Sequence, residues 1–268
     1  MPDHVAFHAV AYSPTNNAVV IFDHVITNVG GGYDNTTGVF TVPTPGLYVF
    51  SWTVETYGQR TEAVLLVNGV QQALSRADEA PSYYDTTTSF AVLNLTLNDE
   101  VNINVTMGSA QAMHTMISGW RINKTDDTAF FASLSRKVTG STIVFDNETL
   151  DTHSAYSTST GRFVAPRSGL YVFMMSATAN GSPNFFTKFV FSNGNSQPKV
   201  WVDSDSSSLY DSSSYMSFGW LYAGDYVYVD AKTMTTNSMF AGWQLVNSSG
   251  SDLRSDDTFL ENLFSISS

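Results

Sequence analysis

Apolar and β-branched residues come in runs of strand length: 46–54, 61–68, 89–97, 99–107 and 115–122 in the first half of the chain. Turn formers such as Gly30-Gly31-Gly32, Asn68-Gly69 and Asn98-Asp99 separate them. Val101, Ile103 and Val105 alternate with Asn102 and Asn104, the period of a strand with one dry face. No stretch keeps a helical period, so the pattern predicts an all-β protein: a sandwich, a barrel or a jelly roll. One run departs from simple alternation. In 46–54, Leu47 and Val49 point to one side while Tyr48, Phe50, Trp52 and Val54 point to the other, so both faces are apolar. A two-layer sandwich buries one face of each sheet. Either a second copy of the domain covers the other face or the strand's own loops roof it, and a second copy is the expectation.

The pattern occurs twice. Residues 6–50 match residues 129–173 at a constant offset of 123, with 15 identities in 45 positions. Ala6-Phe7 returns as Ala129-Phe130, Phe22-Asp23 as Phe145-Asp146, and Tyr33 as Tyr156. Thr37-Gly38-x-Phe40-x-x-Pro43-x-x-Gly46-Leu47-Tyr48-Val49-Phe50 returns from Thr160 to Phe173, and Gly119-Trp120 returns as Gly242-Trp243. Two domains follow, residues 1–123 and 124–250, with a tail over 251–268. In the second repeat Leu170, Val172 and Met174 oppose Tyr171, Phe173 and Met175. The junction near 123–127 is short, which predicts a fairly fixed relation between the domains.

Composition narrows the partners. The 268 residues carry 12 basic and 24 acidic side chains for a net charge of −12, the wrong sign for phosphates, so nucleic acid and anionic membrane are poor partners. Charged residues make up only 13%, leaving a hydroxyl-rich surface suited to calcium or sugars. The acidic surplus is uneven: 3 basic and 10 acidic residues in the first domain, 8 and 10 in the second, 1 and 4 in the tail. There is no cysteine, which removes disulfides, thiolate zinc sites and cysteine nucleophiles. No apolar run is long enough to span a bilayer. Met1-Pro2-Asp3-His4 has no signal-peptide character, so a secreted protein would carry its leader outside this sequence. Sequons occur at Asn35, Asn94, Asn104, Asn123, Asn147, Asn180 and Asn247.

The ordered set of Ala-Phe, Phe-Asp, Tyr, Thr-Gly-x-Phe-x-x-Pro-x-x-Gly-x-Tyr-x-Phe, Asp-x-Val and Gly-Trp resembles the globular-head domain of the complement C1q family. The likeness runs through both repeats and includes Leu93, Leu95, Asp99 and Val101 against Gly219, Leu221, Asp225 and Val227. It implies two tandem ten-stranded jelly-roll β-sandwiches related to the tumour necrosis factor fold. It also implies a homo-oligomer, most simply a trimer of tandem chains in which each domain layer repeats a threefold contact with one sheet facing the axis. The side carrying Asn102 and Asn104 is expected to be that axial one. The sequence departs from the family in having Asn98-Asp99 where Gly-Asp is usual, and in having no Gly-x-y collagen stalk.

Calcium-binding members of the family carry an Asp fourteen residues before the Asp of Asp-x-Val and another eight earlier. Asp211 and Asp203 stand at those positions before Asp225. In the first repeat Asp85 lies fourteen before Asp99, while the earlier position is Ala77 with Asp78 beside it. The resemblance thus implies calcium, with Asp203, Asp211, Asp78 and Asp85 as candidate ligands; backbone carbonyls, waters or neighbouring subunits must complete its six to eight oxygens. The competing reading is exposed loop Asp. Tyr83, Tyr84, Tyr210 and Tyr215 flank these segments and are candidate sugar-stacking residues. No nucleophile elbow, Walker loop, dinucleotide fingerprint or His-Glu-x-x-His is present, and the five His are scattered, so no enzyme is expected.

The function expected is that of a secreted, lectin-like recognition protein for glycans or microbial surfaces, multivalent through duplication. The alternative is a matrix protein or receptor-binding ligand without lectin activity. In the tail, Leu253, Phe259, Leu260, Leu263, Phe264 and Ile266 are too apolar for a plain linker; the segment either packs on a domain, exchanges between chains, or frays.

Overall fold

The computed structural model describes residues 1–78, 83–122, 128–180, 184–194, 197–202 and 210–247. Among these there is no α-helix, and each repeat builds ten principal strands. In the first they are β1 (Ala6–Val10), β2 (His24–Val29), β3 (Tyr33–Asp34), β4 (Val39–Thr41) and β5 (Gly46–Tyr57). They continue with β6 (Arg60–Val67), β7 (Val70–Asp78), β8 (Tyr84–Leu95), β9 (Glu100–Met107) and β10 (Met116–Arg121). The second repeat follows with β11 (Ala129–Ser133), β12 (Asn147–Asp151), β13 (Tyr156–Ser157), β14 (Arg162–Val164) and β15 (Gly169–Asn180). It closes with β16 (Phe185–Phe191), β17 (Val200–Val202), β18 (Tyr210–Leu221), β19 (Tyr226–Ala231) and β20 (Met239–Asn247).

Each domain has two five-stranded antiparallel sheets, ordered β2-β1-β10-β5-β8 and β3-β4-β9-β6-β7 in the first, and β12-β11-β20-β15-β18 and β13-β14-β19-β16-β17 in the second. This is the jelly roll that the alternation and the repeat predict. The five strands expected from apolar runs are all present. Strands β1, β2 and β7 carry weaker signals; β2 is an edge strand with most of its side chains in solvent.

The residues that recur at the offset of 123 are those that lock each sandwich. Phe7 stacks on Tyr33 at 5.0 Å and on Phe40 at 4.9 Å, and Phe130 stacks on Tyr156 at 4.9 Å and on Phe163 at 5.1 Å. Such pairs add to the energy of burying the rings. The Tyr33 hydroxyl accepts the Phe22 N–H at 3.0 Å and donates to the Phe22 carbonyl at 3.3 Å; Tyr156 does the same at Phe145 with 3.0 and 3.2 Å. Gly119 and Gly242 are required by close approach: a Cβ would lie 2.3 Å from the Phe7 ring in one and 2.6 Å from the Phe173 ring in the other. Asp99 and Asp225 close equivalent turns, accepting the N–H of Thr96 at 2.7 Å and of Tyr222 at 2.9 Å.

Burial pushes the Tyr33 phenol up from 10.0 to about 12 and raises Tyr156 in the same direction. A raised acid holds its proton in the folded state, so this stability is complete below the ordinary pKa of 10.0 and is lost as pH climbs toward 12. Tyr33→Phe leaves the buried Phe22 N–H unpaired and should cost about 1–3 kcal/mol at pH 7. It should also flatten the fall in denaturation midpoint between pH 10 and 12. An unchanged alkaline profile would remove Tyr33 as its source.

One expectation is corrected. Strand β9 lies between β4 and β6, in the sheet opposite the one holding β5, and Val101, Ile103 and Val105 face the core. Asn102 and Asn104 therefore lie on the far side of that other sheet, not on the doubly apolar one, and Val19 bridges to Asn104.

Candidate functional site

The second apolar face, which the sequence left to be covered by another domain copy or by loops, is covered by the other domain of the same chain. Leu47, Val49, Phe90 and Val92 on β5 and β8 share one continuous core with Phe131, Met174, Met239, Ala241 and Trp243 of the second domain. Phe90 meets Phe131 edge-on at 6.0 Å, and the equivalent tryptophans Trp120 and Trp243 meet at 6.3 Å. Phe90 and Val92 are each 0% exposed. A polar rim surrounds this centre: the hydroxyls of Thr87 and Ser212 lie 2.7 Å apart, and the Ser214 hydroxyl donates to the Thr88 carbonyl at 2.5 Å.

Tyr210 belongs to that rim. The Arg60 and Arg76 guanidiniums stand 5.0 and 4.2 Å from its ring centre, a cation–π contact between the domains. The same Arg60 pairs with Asp78, Nε to Oδ2 at 2.9 Å and Nη2 to Oδ2 at 2.7 Å, and that hydrogen bond holds its guanidinium proton more tightly than usual. Asp85 accepts the Asp78 N–H at 3.0 Å. The first domain thus meets the Asp78 carboxylate with an arginine, a charge that a calcium ion would have to displace, so this donor set does not fit the ion well. Asp211 accepts the N–H of Ser212 at 2.6 Å; Asp203 lies outside the described residues, as does the tail. Among the described residues no group of three or more His, Asp or Glu converges on one point.

Tyr215 points inward. It lies opposite Met175, stacks on Phe189 at 5.3 Å and donates to the Gln197 side chain at 3.1 Å, so its ring packs against the core. Tyr83 and Tyr84 stand in solvent at 65% and 64% exposure, and Tyr84 packs against its cross-strand neighbour Tyr57 with ring centres 4.6 Å apart. A second exposed aromatic pair is absent from the sequence expectations. Phe186 on β16 and Trp201 on β17 are cross-strand partners with rings 4.4 Å apart, and the Lys199 ammonium lies 5.7 Å from the Phe186 ring centre. Counting along the paired strands, the same place in the first domain holds the ion pair Glu62–Arg76 at 2.7 Å. That place in the first domain lies against Tyr210 at the joint, whereas in the second domain it is an open aromatic pair. A sequence signal existed: Trp201 is outward-phased between Val200 and Val202. The broad groove lined by Lys137, Ser141, Asp230 and Lys232 contains no aromatic ring and no acid–base cluster.

Residues 4–121 and 129–247 each match the C1q domain. A curated relative, the mouse collagen alpha-1(X) chain, is 28% identical over 115 residues, which is 41% of this chain and 17% of the relative, so the chain spans a small part of that protein's length. Among solved structures, the globular domain of zebrafish complement 1qA is similar at 18% identity, 45% of this chain and 99% of that one, with a TM-score of 0.39. Murine APRIL at pH 5.0 is similar at 17% identity, 44% of this chain and 99% of that one, with a TM-score of 0.38.

Proposed function

The chain belongs to the C1q family, carrying two C1q domains, and from that premise we propose that it is an extracellular, non-enzymatic recognition protein that binds glycans or microbial surfaces. The observation that carries this reading is the pair of exposed aromatic platforms, Tyr57–Tyr84 with Tyr83 beside it and Phe186–Trp201, one on each domain. Flat apolar rings set in a hydroxyl-rich surface of low charge suit the apolar faces of sugar rings. Two linked sites of weak affinity gain avidity on a repetitive surface without any further contact.

Calcium enters this proposal through the second domain, where Asp203 and Asp211 would supply carboxylates and backbone oxygens or waters the rest. C1q/TNF-like domains generally form trimers. A layered trimer of tandem chains would need the β5–β8 face of the first domain, which the second domain covers. A second reading is that of a matrix or receptor-binding ligand without lectin activity, and the likeness to a collagen chain favours it. A panel of glycans and bacterial surfaces, probed with the full chain with and without a chelator, separates the two. Binding to at least one sugar or microbe supports recognition, and loss with chelator supports the calcium site. No binding in either condition hands the lead to the second reading.

A further inference from the structure

The face that the second domain covers on the first has a counterpart on the second domain that is only half covered: Val172 and Met174 on β15 reach the shared core, while the β18 side stands bare. Met216 stands opposite Met174 and Phe218 opposite Val172 on the β15–β18 face, with Trp220 opposite Leu170. By the repeat, Met216 and Phe218 correspond to Phe90 and Val92. The latter are 0% exposed, whereas Met216 and Phe218 are 47% and 51% exposed, and Val246 next to Leu170 is 38% exposed. Large apolar side chains clustered in solvent mark a surface that something covers.

A second copy is a poor occupant. The second domain covers the first with Phe131, Met174, Met239, Ala241 and Trp243. The corresponding residues of a first domain are His8, Ser51, Met116, Ser118 and Trp120; three of these five are polar, and Trp120 already meets Trp243 of its own chain. The second domain of another copy has already committed its covering side to its own first domain. The remaining apolar segment of this chain is the tail, with Phe259, Leu260, Leu263, Phe264 and Ile266. Residues 248–250 join it to Asn247, the last residue of β20, which pairs with Gly169 one residue from Leu170 and beside Val246. The ten residues from 248 to 257 reach at most about 33–36 Å when extended, enough to lay the apolar part across one sheet. A tethered segment also acts at roughly millimolar effective concentration, well above a second chain in dilute solution.

We infer that residues 258–266 dock on the Leu170, Met216, Phe218, Trp220 and Val246 face of the second domain as a built-in cover. Because the chain has no cysteine, Met216→Cys introduces a single thiol on this face. Its alkylation by an uncharged maleimide is measured in the full chain, alone and combined with Leu260→Ser, Leu263→Ser and Phe264→Ser, with Val70→Cys as a reference of 62% exposure. The native tail should slow the reaction about tenfold or more, equally at all protein concentrations, and leave the reference unchanged. Equal rates with native and substituted tails would overturn the assignment, and so would protection that grows with protein concentration, which would assign the face to a second copy.

Discussion

Phe90→Asp should split the unfolding of this protein into two transitions. The ring sits at the centre of the core that both domains share, against Phe131 and fully out of water. Emptying such a site costs about 3–5 kcal/mol even for a change to alanine, and a buried carboxylate without a partner adds to it. Phe90 does not belong to either sandwich interior, because it lies on the same side as Val49 and Ser51 rather than with Phe50 and Trp52. Each domain keeps its own stacked rings, Phe7–Tyr33–Phe40 and Phe130–Tyr156–Phe163, so each should still fold. Scanning calorimetry is expected to show one cooperative transition for the unaltered chain and two for the variant, the first at the lower temperature. A single transition shifted as a whole would place Phe90 inside one domain's core instead.

The second large effect concerns recognition. Trp201→Ala removes one ring of the Phe186–Trp201 platform, and Tyr84→Ala one ring of the Tyr57–Tyr84 platform. Both residues are well exposed, at 44% and 64%, so stability should change by no more than about 0.5 kcal/mol. Losing a stacking ring should weaken sugar binding by about 1–3 kcal/mol at the affected domain, a fall of roughly 5- to 150-fold. If the domains hold different ligands, the two variants will lose different members of a glycan panel. If they share one ligand, each variant alone will lose avidity and both together will abolish binding. Full retention of binding in the double variant would remove the aromatic platforms from the account.

Much of this architecture is legible in the sequence because duplication prints it twice. The identities at the offset of 123 fall on residues with no freedom: rings that stack, a tyrosine hydroxyl that clamps a loop, and glycines lying against phenylalanine rings. The doubly apolar strand also declares its need for a cover. What the sequence does not declare is where the cover comes from, since Thr87, Ser212 and Ser214 look like any surface hydroxyls until the domains are brought together. Register defeats inference in the same way. Tyr215 reads as exposed among serines, but pairing with Met175 turns it inward. Asn104 alternates cleanly, yet alternation does not say which of two sheets a strand joins. Tyr210 is the sharpest case, because its ring is claimed by Arg60 and Arg76 from more than a hundred residues away.

The joint between the two domains is the feature on which the rest depends, since it makes one body with two unlike surfaces. It can be tested with a single cross-link. The Thr87 and Ser212 hydroxyl oxygens are 2.7 Å apart across the joint, close enough that cysteines at both positions can form a disulfide without moving the backbone far. In a chain with no other cysteine, Thr87→Cys with Ser212→Cys should oxidise readily within one chain, keep the mass of a single chain when denatured, and raise the unfolding midpoint. Failure to cross-link, or cross-linking only between chains, would contradict the shared core.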